Sequence, residues 1–103
     1  MYKICFYVPE NYWEKVKEAL FSAGAGKIGN YSHAVWQALG EGQFMPLAGS
    51  HAFMGQVGRL EKVIEFKVEM ICADSFIHAV IAALKAAHPY EEPAFQVIKL
   101  EDF

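Results

Sequence analysis

EKVIEFKVEMIC, Glu61 to Cys72, places Ile64, Phe66, Val68 and Met70 on one side and Glu65, Lys67 and Glu69 on the other. A strict period of two describes a strand with one face in the core and one toward water. The next residues change period. Asp74 or Ser75 is expected to cap a helix whose apolar stripe is Phe76, Ile77, Val80, Ile81 and Leu84. That helix should stop at His88, because Pro89 disfavours the helical conformation of the residue before it. Pro93 to Glu101 (PAFQVIKLE) reads as the last strand, with proline tolerated at its first position.

The same succession lies upstream. Tyr2 to Val8 (YKICFYV) is rich in aromatic and β-branched residues, ends at Pro9 and reads as a strand with both faces covered. Asn11 is placed to cap a helix, with Glu14 three residues on as in a capping box. Trp13, Val16, Leu20 and Ala23 recur along it at helical spacing, and Gly24 and Gly26 end it. Tyr31 to Leu39 is a further strand candidate, and Gly40 to Gly58 reads as a long irregular loop. Loops beyond about 12–15 residues are usually functional or disordered, so this one is expected to be mobile or ligand-responsive. The order strand–helix–strand–strand–helix–strand is the split βαβ arrangement. The expected fold is α+β, a ferredoxin-like βαββαβ sandwich with an antiparallel sheet and two helices on one face, in a single domain over residues 1–103.

Composition narrows the class of function. Hydrophobic residues make up 54% of the chain and aromatics 15%, above the ~45–50% apolar share of ordinary domains. The excess points to apolar surface covered by copies of the same chain, most simply across the helix-free face of the sheet. A net charge of −3 gives no basic face for nucleic acid and no polybasic run for anionic lipid. Ala79 to Leu84, the most apolar later stretch, is far short of the ~20 residues that span a bilayer. Cys5 and Cys72 sit in apolar strand-like runs without C-x-x-C spacing, which suits buried thiols in a reducing compartment. No signal-peptide pattern opens the sequence, and a cytoplasmic location is expected.

GAGKIG, Gly24 to Gly29, matches the dinucleotide pattern G-x-G-x-x-G. It follows a helix and precedes a strand, whereas the mechanism needs the reverse order to bring a helix N-terminus to the pyrophosphate. It therefore reads as a helix cap and turn. The histidines His33, His51, His78 and His88 show no H-x-H or H-x-x-x-H spacing. HPYEEPAF, His88 to Phe95, has two readings. In one it is a turn between helix and strand, with His88 a cation favoured at the helix C-terminus. In the other, His88 and Glu91 meet His33 of the same or a neighbouring subunit in a site for zinc or copper. No nucleophile–base constellation is visible, so an enzyme is not expected. Tyr31, Trp36, Phe44 and Phe53 would fill an interface or stack on a ligand.

The ordered set G-x-G-x-I-G-N-Y (24–31), G-x-G-x-F-x-P (40–46), G-x-V-G-x-L-E (55–61) and H-P-Y-E-E-P (88–93) resembles the small insert domain of the Nif-three-like dimetal proteins. The fold together with the last motif is also similar to the CutA and PII-like proteins. That resemblance implies trimers of ferredoxin-like subunits, and with CutA a divalent metal, with His88, Tyr90 and Glu91 matching that family's C-terminal motif; the zinc or copper ligands expected from the residues themselves are His33, His88 and Glu91. Ligand-binding residues carried with it are Gly26, Asn30, Tyr31, Trp36, Tyr90 and Glu92. Nif-three-like proteins hold their two metals in a larger flanking domain outside these residues, so their dimetal chemistry is not implied for this chain. The expected function is a non-catalytic small-ligand or metal-binding regulatory module, a homotrimer. The alternative is an oligomerisation module serving a Nif-three-like partner.

Overall fold

A computed structural model describes residues 1–103. The strand expected at Glu61–Cys72 is present with those bounds and is flanked by both longer strands of the sheet. In chain order the elements are β1 (Tyr2–Pro9), α1 (Trp13–Ala23), β2 (Trp36–Phe44), β3 (Glu61–Cys72), α2 (Ile77–Ala87) and β4 (Phe95–Lys99). The sheet is antiparallel throughout, in the order β2-β3-β1-β4. This is the α+β, ferredoxin-like architecture that the succession of elements implied.

Register explains which face is the core. Ile4 stands opposite Met70 and Val97, and Phe6 opposite Val68 and Phe95, so these side chains share one face. Trp13, Val16 and Leu20 of α1 and Ile77, Val80 and Leu84 of α2 close over it, all buried. Each large side chain so buried stabilises the fold by roughly 1.5–3 kcal/mol. Both helices have 11 residues, a length marginal in isolation, so they depend on this shared face. Neither is long and apolar enough to cross a membrane.

Several local expectations are corrected. Both helices are entered through a 3-10 turn, Glu10–Tyr12 and Asp74–Phe76, and neither has a side-chain cap. Asn11, Asp74 and Ser75 therefore do not act as caps. The turns tighten the first backbone bonds instead, and Asp74 holds Lys99 Nζ at 2.9 Å. The second strand runs over Trp36–Phe44 rather than residues 31–39. Residues 31–35 are diverted by a bridge between Ile28 and Tyr31 and by His33, whose φ is +59°. Gly40 and Gly42, expected in a loop, pair with Glu65 and Val63. Glycine is a poor strand former, but the exposed backbone of β3 supplies partners that outweigh the propensity. The irregular loop is thereby shortened to residues 45–60. The last strand is likewise trimmed to Phe95–Lys99.

The helix-free face is mixed rather than uniformly apolar. Lys3 and Glu69 form an ion pair of 2.7 Å across it, beside the buried Cys5 and the exposed Trp36. Cys5 and Cys72 are buried free thiols.

Gly24 closes α1 at φ +115°, and a Cβ there would lie 2.8 Å from Cγ of Phe76. Gly24→Ala should destabilise the protein by about 1–3 kcal/mol, the cost of a strained backbone conformation. Urea unfolding measures it. The loss should exceed that of Gly29→Ala, where φ is +56° but nothing stands within 4 Å.

Candidate functional site

A cleft of about 760 Å³ opens where the helix-free face of the β2–β3 hairpin meets the 45–60 loop and the turn after α2. Its floor follows from the register. Gly40 is the partner of Glu65 and Gly42 of Val63, so both glycines face the side that carries Glu65. A Cβ on Gly42 would stand 1.7 Å from Oε1 of Glu65, whereas nothing lies within 4 Å of one built on Gly40. The Glu65 carboxylate thus lies down across bare backbone. There its Oε2 accepts a hydrogen bond of 2.9 Å from the Tyr90 hydroxyl. Burial, and then this carboxylate, hold the Tyr90 phenol well above the ordinary tyrosine range.

The walls are aromatic. Phe44 and Phe53 stand 5.9 and 6.5 Å from the Tyr90 ring, and Phe53 meets Tyr12 edge-on at 5.3 Å. The loop is tied to the turn at one point, where the backbone N–H of His51 donates to Glu91 Oε2 at 2.8 Å.

His88 holds the turn from beneath. It is 5% exposed. Its Nε2–H donates to the Tyr7 carbonyl at 2.6 Å, and its Nδ1 accepts from the Tyr90 N–H at 3.1 Å. This pattern requires a neutral ring, since a protonated Nδ1 would be a donor facing a donor. Burial also lowers the His88 pKa below its ordinary value. Both expectations for this residue are thereby corrected within the chain: it is neither a helix-end cation nor a ligand with a free lone pair.

The residues singled out in the sequence divide into two places. Tyr90, Glu91 and Glu92 line the cleft. Gly26, Asn30, Tyr31, His33 and Trp36 do not. Gly26 donates to the Ile71 carbonyl at 2.8 Å, and Ile71 pairs with Lys3 near the start of β1. His88 is bonded near the end of the same strand, at Tyr7. His33 stacks on Phe21 with centroids 4.7 Å apart and meets Ser32 Oγ at 2.9 Å. Asn30 and Tyr31 are exposed beyond a smaller groove of about 390 Å³ that Trp36 lines with Ile28 and Val35. His33, His88 and Glu91 are not brought together within the chain, and no group of three His, Cys, Asp or Glu side chains is placed to hold an ion. Within one chain the donor set expected for zinc or copper is not assembled.

Of the cleft's other residues, Gly40, Gly42, Phe44 and Phe53 belong to the 40–58 stretch expected to respond to a ligand, whereas Tyr7 and Glu65 were not expected in a site. The one signal for Glu65 was its place on the polar side of an alternating strand. Its partner Tyr90 lies 25 residues away, a distance that periodicity does not bridge.

Because folding lowers the His88 pKa from 6.5, the unfolded chain binds that proton more readily. The stability contributed is complete above the unfolded value and is lost as pH falls through it and then through the lower folded value. Urea midpoints should therefore drop between about pH 7.5 and about pH 5.5. In His88→Gln the drop should be smaller, from a lower starting stability.

No family model matches the chain. It is 46% identical over 98 residues to a Mycobacterium leprae protein called "GTP cyclohydrolase 1 type 2 homolog", covering 95% of this chain and 26% of that protein. The chain thus spans about a quarter of the length of the curated relatives it matches. A Bacillus cereus protein related to NIF3 superposes with a TM-score of 0.82 at 42% identity, over 98% of this chain and 26% of the other. The divalent cation tolerance protein CutA from Archaeoglobus fulgidus superposes with a TM-score of 0.68 at 19% identity, over 100% of this chain and 87% of CutA, a likeness of fold alone. By sequence and by fold, this chain is similar to one segment, about a quarter in length, of a NIF3-related protein.

Proposed function

We propose that the chain is a non-catalytic, oligomeric module that binds a small ligand in the cleft between the β2–β3 hairpin, the 45–60 loop and the turn at residues 88–94. The observation that carries this is the floor: of two glycines on one face of an edge strand, Gly42 lies under a hydrogen-bonded carboxylate and Gly40 beside it is left uncovered. Ligand sites commonly measure about 300–1,000 Å³ and combine apolar walls with few polar groups, which this cleft does. The two thiols and His88, groups that could drive covalent or acid–base chemistry, are committed elsewhere. Both thiols are buried, and both nitrogens of His88 are bonded inside the chain.

The assembly we propose is a homotrimer. Trp36 on the helix-free face is 58% exposed, and Leu39 and Ile64, on the part of the hairpin that outruns the helices, are 59% and 45% exposed. The same exposed residues favour a second reading, an oligomerisation module acting for a NIF3-related partner, since the matching segments belong to much longer chains.

Gly40→Leu separates the two. It should leave the fold intact, because the space above Gly40 is open, and should abolish every melting-temperature rise found in a screen of small molecules. A ligand that binds only the folded state must raise that temperature. Ligand shifts that survive in Gly40→Leu would place the site elsewhere. A solution mass of three times 11.6 kDa with no ligand shift at all would favour the oligomerisation reading.

A further inference from the structure

We infer that the cleft selects a planar aromatic ligand bearing N–H donors and a neutral or positive charge, of the amidine or amino-heterocycle class, with its ring on the open floor at Gly40 and its donors on Glu65. This rests on the reading of the cleft as the ligand site and adds the chemistry of what occupies it.

Shape is set by the floor and walls. Neither glycine has a Cβ, so a flat ring can approach the backbone of β2 as closely as van der Waals contact allows. The open side lies over Gly40, while the Glu65 carboxylate already occupies the space over Gly42. A ring resting on Gly40 therefore has its edge toward Glu65. Phe44 and Phe53, whose ring centroids lie 5.9 and 6.5 Å from that of Tyr90, line the same cleft as Gly40 and offer ring faces and edges for offset or edge-on aromatic packing.

Polarity is set by what is already bonded. An ionised carboxylate accepts at about four lone-pair sites and donates nothing. The Tyr90 hydroxyl takes one site on Oε2, leaving Oε1 over the floor. The Tyr90 proton is directed at Glu65, so toward a ligand the phenol oxygen too is an acceptor. A molecule on the floor meets acceptors and must supply donors.

Charge points the same way. Glu41, Glu65, Glu91 and Glu92 line the cleft against one lysine, Lys67. Carboxylates and phosphates would be repelled here, and an amidinium would be attracted and held in a two-pronged hydrogen bond.

The test uses ¹⁵N-labelled protein and a shape-matched set: benzamidine, benzamide and benzoate. Amide shifts are followed in the wild type, Glu65→Gln and Gly40→Leu. Benzamidine should bind in the millimolar range expected of a small fragment and shift the amides of residues 40–44, 65 and 90. Benzamide should bind more weakly and benzoate not at all. Glu65→Gln, which still accepts from Tyr90, should weaken benzamidine by about tenfold or more and erase its preference over benzoate. Gly40→Leu should abolish all binding. Benzoate binding as tightly as benzamidine, or a benzamidine preference unchanged in Glu65→Gln, would overturn the donor class while the Gly40→Leu result keeps the cleft. No shifts at these amides with any probe would overturn the donor class and the site together.

Discussion

β3 is longer than its inner partner, and the mismatch shapes the molecule. Its 12 residues face the eight of β1 only from Glu65 to Cys72, whereas β2 pairs with it from Glu61 to Glu69. The shared part lies under both helices and forms the core. The remainder, Glu61 to Ile64, has β2 as its only neighbour, so the hairpin runs out beyond the helices and the domain measures 47 × 24 × 24 Å. A two-stranded ribbon is marginal alone in water. Here the 45–60 loop and the turn after α2 lie against it, and the cleft is the space between them.

The turn owes its position to a buried polar contact. Pro89 ends α2, but a proline does not say where the chain goes next. His88 does, by joining the Tyr7 carbonyl of β1 to the N–H of Tyr90 through a neutral imidazole. Tyr90 then reaches Glu65 on β3, and Glu91 catches the loop at His51. One ring so fixes a chain of contacts from the sheet to the loop, and the cleft wall depends on the histidine's protonation state. The role is positional, which is why the same histidine looked like a metal ligand when only its residue type was considered.

The glycines show how one residue type serves different ends. Gly24 is needed for its backbone angle, at a helix end pressed against Phe76. Gly40 and Gly42 sit in ordinary extended backbone, and what matters is the side chain they lack. Over Gly42 the missing Cβ admits a carboxylate, and over Gly40 it leaves the cleft floor open. In the linear sequence the two uses are indistinguishable, and GEGQF read as loop because glycine is rare in strands.

The fold was legible because its signals are local. The alternation of Ile64, Phe66, Val68 and Met70, the helical spacing of Trp13, Val16 and Leu20, and the stop at Pro89 each occupy a dozen residues or fewer and need no knowledge of distant neighbours. The candidate site was legible at Tyr90, Glu91 and Glu92, where an unusual cluster of polar residues stood out, and in outline along the glycine-rich 40–58 stretch with Phe44 and Phe53. Glu65, and the pairings that join it to Gly40, Gly42 and Tyr90 and join His51 to Glu91, were not legible, because strand register and loop docking decide who meets whom. A shift of β2 by a single residue would turn Gly40 and Gly42 to the opposite face and bring Leu39 and Glu41 over Glu65's side. Tertiary structure also separated His33 from His88 along β1 and consumed both nitrogens of the latter. Period and propensity follow from a residue and its nearest neighbours, whereas a site requires groups remote in sequence to converge, and only the packed sheet fixes that.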